Sequence, residues 1–158
     1  MIADATVRLA IISDAADIAV LSREHVEFGL SWNWREDRVT KSIISPISNV
    51  AVVERDKAVV GFGIMEYGDN DAHLVLFAVD PLHRRHGIGS AILLWLESVA
   101  RAAGAERIRI EARHENTAAR SFYNEHGYHE RVIKKGMYAA SVDGVRFEKW
   151  LRSPGTAE

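Results

Sequence analysis

The 158-residue chain has no cysteine, only three prolines and no long apolar run, and its charge is almost balanced. Each scarcity closes off something. Without cysteine there is no disulfide, no thiolate metal site and no cysteine nucleophile. That fits a reducing compartment, and a cytoplasmic protein is expected. No apolar stretch is longer than Ala91 to Leu96, far short of the about 20 residues a membrane helix needs. The opening "MIADATVRLA" lacks the basic flank and apolar core of a signal peptide, so no membrane partner is expected. Lys and Arg number 20 against 22 Asp and Glu, a net charge of −2, and a field that weak does not suggest nucleic acid. Any anion site has to be local. The seven histidines form no i, i+4 pair on a predicted helix, and without thiolates no metal is expected.

What is present reads as one globular domain. Hydrophobic residues at 47% and charged residues at 27% are ordinary for a single soluble core of this length. No repeat, low-complexity block or linker divides the chain, so residues 1–152 are expected to form one domain, with "SPGTAE" (153–158) a disordered tail. "TVRLA" (6–10) alternates like a short strand. Ser13 reads as the N-cap of a helix to about His25, and a second helix is expected over 35–44. "NVAVVER" (49–55), the turn at Asp56 and Lys57, and "AVVGFGIMEY" (58–67) read as a β-hairpin, with "AHLVLFAV" (72–79) a third strand. A helix over 89–103 closing at Gly104, a strand over 107–112 and a helix over 116–127 follow. Two more strands, 128–133 and 145–151, are predicted around a "VDG" turn. A meander followed by one β-α-β step makes a mixed α/β sheet, not a doubly wound one.

The joint between the third strand and the long helix carries the chemistry. In "AVDPLHRRHGIGSA" a proline stops strand pairing, Arg84 and Arg85 supply charge, and Gly87 and Gly89 keep side chains away from the start of a helix. A helix N-terminus offers unpaired N–H groups and the positive end of the dipole, so this is a candidate phosphate cradle. It lacks the Gly-Lys-Ser/Thr of a P-loop and the third glycine of G-x-G-x-x-G. Read alone, the same residues describe a solvated basic turn. The earlier "GFG" (61–63) reads as close packing or a bulge.

The spacing R-x-x-G-x-G (Arg84, Gly87, Gly89), a strand, and then "NTAARSFYNEHGY" with Asn116, Ala119, Tyr123, Gly127 and Tyr128 resembles the GNAT family of N-acetyltransferases. The resemblance implies that family's single-domain α/β fold: a mixed, mostly antiparallel sheet flanked by helices, splayed in a V between strands 72–79 and 107–112. It implies acetyl-CoA as cosubstrate and an amine as acceptor. The pyrophosphate would rest on Arg85, His86, Gly87, Ile88, Gly89 and Ser90 beside Arg84. The pantetheine arm would run along Phe77, Ala78 and Val79, with Asn116 and Tyr123 also in contact with the cofactor.

Acetyl transfer to an ammonium of pKa ~10.4 requires a proton acceptor, and the departing thiolate (~8.5) requires a donor. By resemblance Tyr123 is the acid, and the backbone N–H near Val79 polarises the carbonyl. Core packing is the plain alternative for Tyr123, and a simple N-cap for Asn116. For the base, His73 falls where the histone-acetylating branch carries a glutamate. Glu111 matches the strand position used by the ribosomal-protein-acetylating branch. Glu66 and a water chain are further alternatives. The segment 24–37, with Phe28, Trp32, Trp34, Glu24 and Glu27, would suit a cationic amine, or would only pack the helix pair. On this reading the acceptor is a small-molecule amine, with a peptide N-terminus or lysine as the alternative. A non-catalytic acyl-CoA sensor is the rival class. A homodimer through the edge of "VRFEKWL" is left open.

Overall fold

The β-hairpin expected at Asp56 and Lys57 is closed by both residues in left-handed backbone, φ 49° and 67°, the conformation of a tight two-residue turn. It is part of a computed structural model describing residues 6–84, 87–139 and 142–152. In chain order the strands are β1 (Val7–Leu9), β2 (Ser48–Arg55), β3 (Ala58–Tyr67), β4 (Asp71–Val79), β5 (Arg107–Arg113), β6 (His129–Ala139) and β7 (Val142–Trp150). The helices are α1 (Ala15–His25), α2 (Glu36–Ile44), α3 (Ile88–Ala102) and α4 (Thr117–Glu125). The sheet order is β1-β2-β3-β4-β5-β7-β6. Pairing is antiparallel at β1·β2, β2·β3, β5·β7 and β6·β7, and parallel at β4·β5. This is the mixed sheet the element order predicts. The chain forms two compact units, one from residues up to Glu66 with Val75–Val99, the other from Tyr67–Leu74 with residues from Ala100 on.

In the first unit, β2 and β3 are buried on both faces over Val50–Val53 and Val59–Met65. One face is covered by Ile18 and Leu21 of α1 and Val39 of α2, in a cluster with Val50, Val52, Phe62 and Ile64. Against the other lies the apolar stripe of α3, with Ile88, Ile92, Leu93 and Leu96 at most 1% exposed. The β3 glycines make room for it. A Cβ on Gly61 would stand 3.0 Å from Ile88 Cγ2 and Ile92 Cδ1, and one on Gly63 would stand 2.7 Å from Leu96 Cδ1. The "GFG" glycines therefore serve close helix–strand packing.

Helix α1 departs from expectation. Ser13 does not cap it; a short 3-10 turn over Ile12–Asp14 leads in, and the helix starts at Ala15. Asp14 is the group used instead: its carboxylate accepts the Ile11 N–H at 2.8 Å and two bonds from the Arg8 guanidinium, at 2.8 and 3.1 Å. A charged fork of this kind outcompetes a hydroxyl.

In the second unit, β5 alternates as predicted: Ile108, Ile110 and Ala112 face inward, while Arg107, Arg109 and Glu111 are half-buried on the opposite side. The parallel ladder pairs Asp71 with Arg107, His73 with Arg109 and Leu74 with Ile110. The last hairpin is longer than expected, and "VDG" (142–144) lies within β7. Asp143 is held there by its carboxylate, which accepts the Gly136 N–H at 2.9 Å, and by its carbonyl, which accepts the His114 N–H at 2.9 Å. The edge expected at "VRFEKWL" is not an edge, because β7 lies between β5 and β6 and β6 is outermost. Among the described residues no helix is long and apolar enough to cross a membrane.

Candidate active site

One group of the expected site residues belongs to the first unit and is built mostly of main chain. At the end of β4 the Asp80 N–H donates to the Val60 carbonyl at 2.7 Å, and the Asp80 carboxylate accepts the Leu82 N–H at 3.0 Å. A 3-10 turn with Pro81 at its first position follows. Arg84 then folds back, its Nε donating to the Val79 carbonyl at 3.3 Å. Gly87 has φ +76°, a backbone that β-carbon-bearing residues rarely adopt, and its carbonyl accepts the Ala91 N–H at 3.0 Å to begin α3. Ile88, 1% exposed, fastens the first turn to β3 through Gly61.

The expected cradle residues Gly87, Ile88, Gly89 and Ser90 thus stand at the start of a helix packed on β3, the end that carries the positive pole of the helix dipole. Arg85 and His86 lie outside the described residues. Phe77 is half-buried, and Ala78 and Val79 are buried at the end of β4. A left-handed glycine and an open helix terminus after a strand fit a pyrophosphate.

A separate group belongs to the second unit and is made of side chains. Asn116 caps α4, its Oδ1 accepting the Ala119 N–H at 3.0 Å, so the plain role proposed for it is real. The helix stops at Gly127, φ +88°, whose N–H donates to the Asn124 carbonyl at 3.1 Å while the Tyr128 N–H donates to the Tyr123 carbonyl at 3.0 Å. This is a Schellman ending, completed by contact between the Tyr123 and Tyr128 rings, whose centroids are 6.0 Å apart. Much of the Asn116-to-Tyr128 signature is therefore a helix with its start and stop. Tyr123 is 5% exposed, and its ring also meets Phe147 at 5.5 Å. Burial first, then the neighbouring Tyr138, pushes its hydroxyl up, so it remains a proton donor at physiological pH.

His73 and Glu111, entertained as alternative bases, touch. His73 Nε2 lies 2.5 Å from Glu111 Oε1, and Arg146 Nε lies 4.0 Å from Glu111 Oε2. Burial opposes ionisation of Glu111, but the His73 hydrogen bond and the charges of His73, Arg109 and Arg146 outweigh it and hold the carboxyl below its ordinary value. Tyr138 of β6 links the two ends of this group: burial and the Glu111 carboxylate, partly offset by Arg113, push its phenol up to about 12. The sequence reading missed Tyr138, which sits in "KKGMYA" with no pattern to mark it. Glu66 lies in the first unit, paired with Ser48 on β2.

The aromatic segment corrects an expectation. Glu27 is buried and engaged, accepting the Ser22 hydroxyl at 2.7 Å and the N–H groups of Asn33 at 2.7 Å and Trp34 at 3.2 Å. Arg23 and Arg35 stack on Trp32 at 5.2 and 4.6 Å, and Arg38 on Trp34 at 3.8 Å. Trp34 joins the core, whereas Phe28 is exposed. These ring faces hold the protein's own cations, and no carboxylate is left at Glu27 for an incoming amine.

The model of the acetyltransferase (GNAT) family matches residues 17–128, and the chain belongs to that family. An uncharacterised N-acetyltransferase of Methanocaldococcus jannaschii is 35% identical over 97 residues, 60% of this chain and 61% of that protein. The ribosomal protein bS18-alanine N-acetyltransferase of Haemophilus ducreyi is 30% identical over 98 residues, 62% of this chain and 66% of that protein. The matches thus span just under two thirds of these relatives. In fold, the crystal structure of the ribosomal-protein-S18-alanine N-acetyltransferase from Escherichia coli superposes with a TM-score of 0.81 at 19% identity, covering 98% of this chain and 99% of that one.

Proposed function

We propose that the protein is an acetyl-CoA-dependent N-acetyltransferase that moves the acetyl group directly to a primary amine. The observation that carries this is Gly87 in left-handed backbone, opening α3 at the end of the loop that follows β4. On this reading the N–H groups from Gly87 to Ser90 bind the pyrophosphate, the end of β4 at Phe77 to Val79 lies beside the pantetheine, and Tyr123 protonates the leaving sulfur. Acetyl-CoA supplies the activated acyl group. The chain's own residues bind it, orient it and move protons.

For the acceptor we favour the α-amine of a polypeptide N-terminus. The small amine expected from the sequence leaned on aromatic faces beside Glu24 and Glu27 and on the lack of a long acidic groove. Those faces carry Arg23, Arg35 and Arg38 instead, and the Glu27 carboxylate is engaged. Glu111 on β5 and the relatives named for ribosomal-protein alanine acetylation point the same way. The test is calorimetric titration with acetyl-CoA, followed by assay of free CoA release with two pools, short peptides with free N-termini and small amines. Binding with turnover of peptides is expected. Turnover of small amines alone would return the acceptor to the small-molecule class, and absence of acetyl-CoA binding would overturn the enzyme reading.

A further inference from the structure

We infer that Glu111 is a positioning residue acting through His73: it holds the imidazole with Nε2–H toward its carboxylate, so that Nδ1 takes the proton of the acceptor's ammonium. This rests on the acetyltransferase reading above. The pair is joined at 2.5 Å, with the side chains 27% and 20% exposed, and ladders fix both backbones, His73 opposite Arg109 and Glu111 opposite Arg146. An ionised carboxylate only accepts hydrogen bonds, so Nε2 must be the donor, and a neutral imidazole that donates at Nε2 keeps its lone pair at Nδ1. Among the described residues Nδ1 has no hydrogen-bond partner, and it is not sealed from solvent.

Glu111 is poorly suited to be the base itself. Its two oxygens are engaged by His73 and approached by Arg146, and a carboxylate held below its ordinary value has little affinity for a proton at neutral pH. Imidazole is the side chain suited to that exchange.

The other charged groups around the pair are already committed. On β4, Asp71 binds Arg107 at 2.6 Å and lies 3.5 Å from Arg109. On β7, Glu148 binds Arg107 at 2.9 Å and Arg131 at 2.6 Å, and Arg146 approaches Glu111. On β5, Arg109 and Arg113 add positive charge, and on β6 the Tyr138 phenol is neutral at physiological pH. Glu111 is therefore the carboxylate in contact with His73.

The reaction then balances as follows. The ammonium gives one proton to His73 Nδ1, and the freed lone pair forms the N–C bond at the thioester carbonyl. On collapse the C–S bond breaks and sulfur keeps its electron pair. Tyr123 gives its proton to that sulfur and is reprotonated by the one leaving the adduct's nitrogen, while the imidazolium passes its proton to solvent. The products are the amide, free CoA and one proton.

The test compares His73→Gln and Glu111→Gln in the pH dependence of kcat/KM for the acceptor, with acetyl-CoA affinity measured beside it. His73→Gln should lose the acid limb and at least about 10²-fold in kcat. Glu111→Gln should keep the limb, with a roughly tenfold loss in kcat/KM. Both should bind acetyl-CoA as the parent does. A limb that survives in His73→Gln and vanishes in Glu111→Gln would make Glu111 the base and overturn the inference, as would two unchanged profiles.

Nitrogen-15 NMR of the free parent protein reads the same point without turnover. The Nε2–H tautomer of His73 is expected, and Glu111→Ala should let the Nδ1–H form grow. A dominant Nδ1–H tautomer in the parent sinks the inference. If no amine is acetylated, it is the acetyltransferase reading that fails, and the tautomer still decides the pair.

Discussion

The loop before α3 and the outward face of β5 each arrange charge, by opposite means. The loop works by leaving things out. Gly87 has no β-carbon, and the groups proposed to bind the pyrophosphate are main-chain N–H donors at a helix end. The β5 face works by crowding, with Arg107 shared between Asp71 and Glu148, and Glu111 set between His73 and Arg146. A main-chain site should be indifferent to most substitutions and intolerant at its glycine. A side-chain network should spread each loss over several partners, except at the atom where the proton moves.

The comparison is tested first where the loss should be greatest. Gly87→Glu puts a carboxylate in the cradle and a β-carbon on left-handed backbone, a strain of about 1–2 kcal/mol by itself. Acetyl-CoA affinity measured by calorimetry should fall more than about 100-fold; near-normal affinity would break the assignment of the loop. Next, Tyr123→Phe should lower kcat by roughly 10²-fold, with acetyl-CoA affinity and melting temperature close to the parent. Unchanged turnover would return Tyr123 to the core.

Gly63→Val should be felt in folding alone. Its side chain would collide with Leu96 of α3, costing about 1–3 kcal/mol in a urea titration. Gly127→Ala carries backbone strain like that at Gly87, but at a helix stop, and should cost about 1–2 kcal/mol of stability without weakening acetyl-CoA binding. Smallest of all, Arg131→Ala removes an exposed partner from Glu148, which keeps Arg107. A change below about 1 kcal/mol is expected, and a larger one would show that the network is not shared.

What was legible in the sequence follows the same division. The hairpin at Asp56 and Lys57, the apolar stripe of α3, and the span from Asn116 to Tyr128 all show as short-range patterns, because turns, helix faces and caps are set by residues a few positions apart. The glycine loop was legible because missing side chains are visible in a sequence. The contact between His73 and Glu111 was not, since a side-chain contact between neighbouring strands joining residues 38 positions apart leaves no local trace. Tyr138 was hidden for the same reason. At Asp143 the turn-forming residues misled, because the side chain and carbonyl that favour a turn are spent on Gly136 and His114. Around Trp32 the aromatic residues were seen, but the chain's own arginines stacked on them were not.

The ending of α4 has a consequence for how this protein can be watched. The Tyr128 amide is bonded to the carbonyl of Tyr123 itself, so that amide exchanges with solvent only when the turn holding the tyrosine opens. Its exchange rate is a clock on the presentation of the Tyr123 hydroxyl, readable at one backbone position without substrate and without mutation.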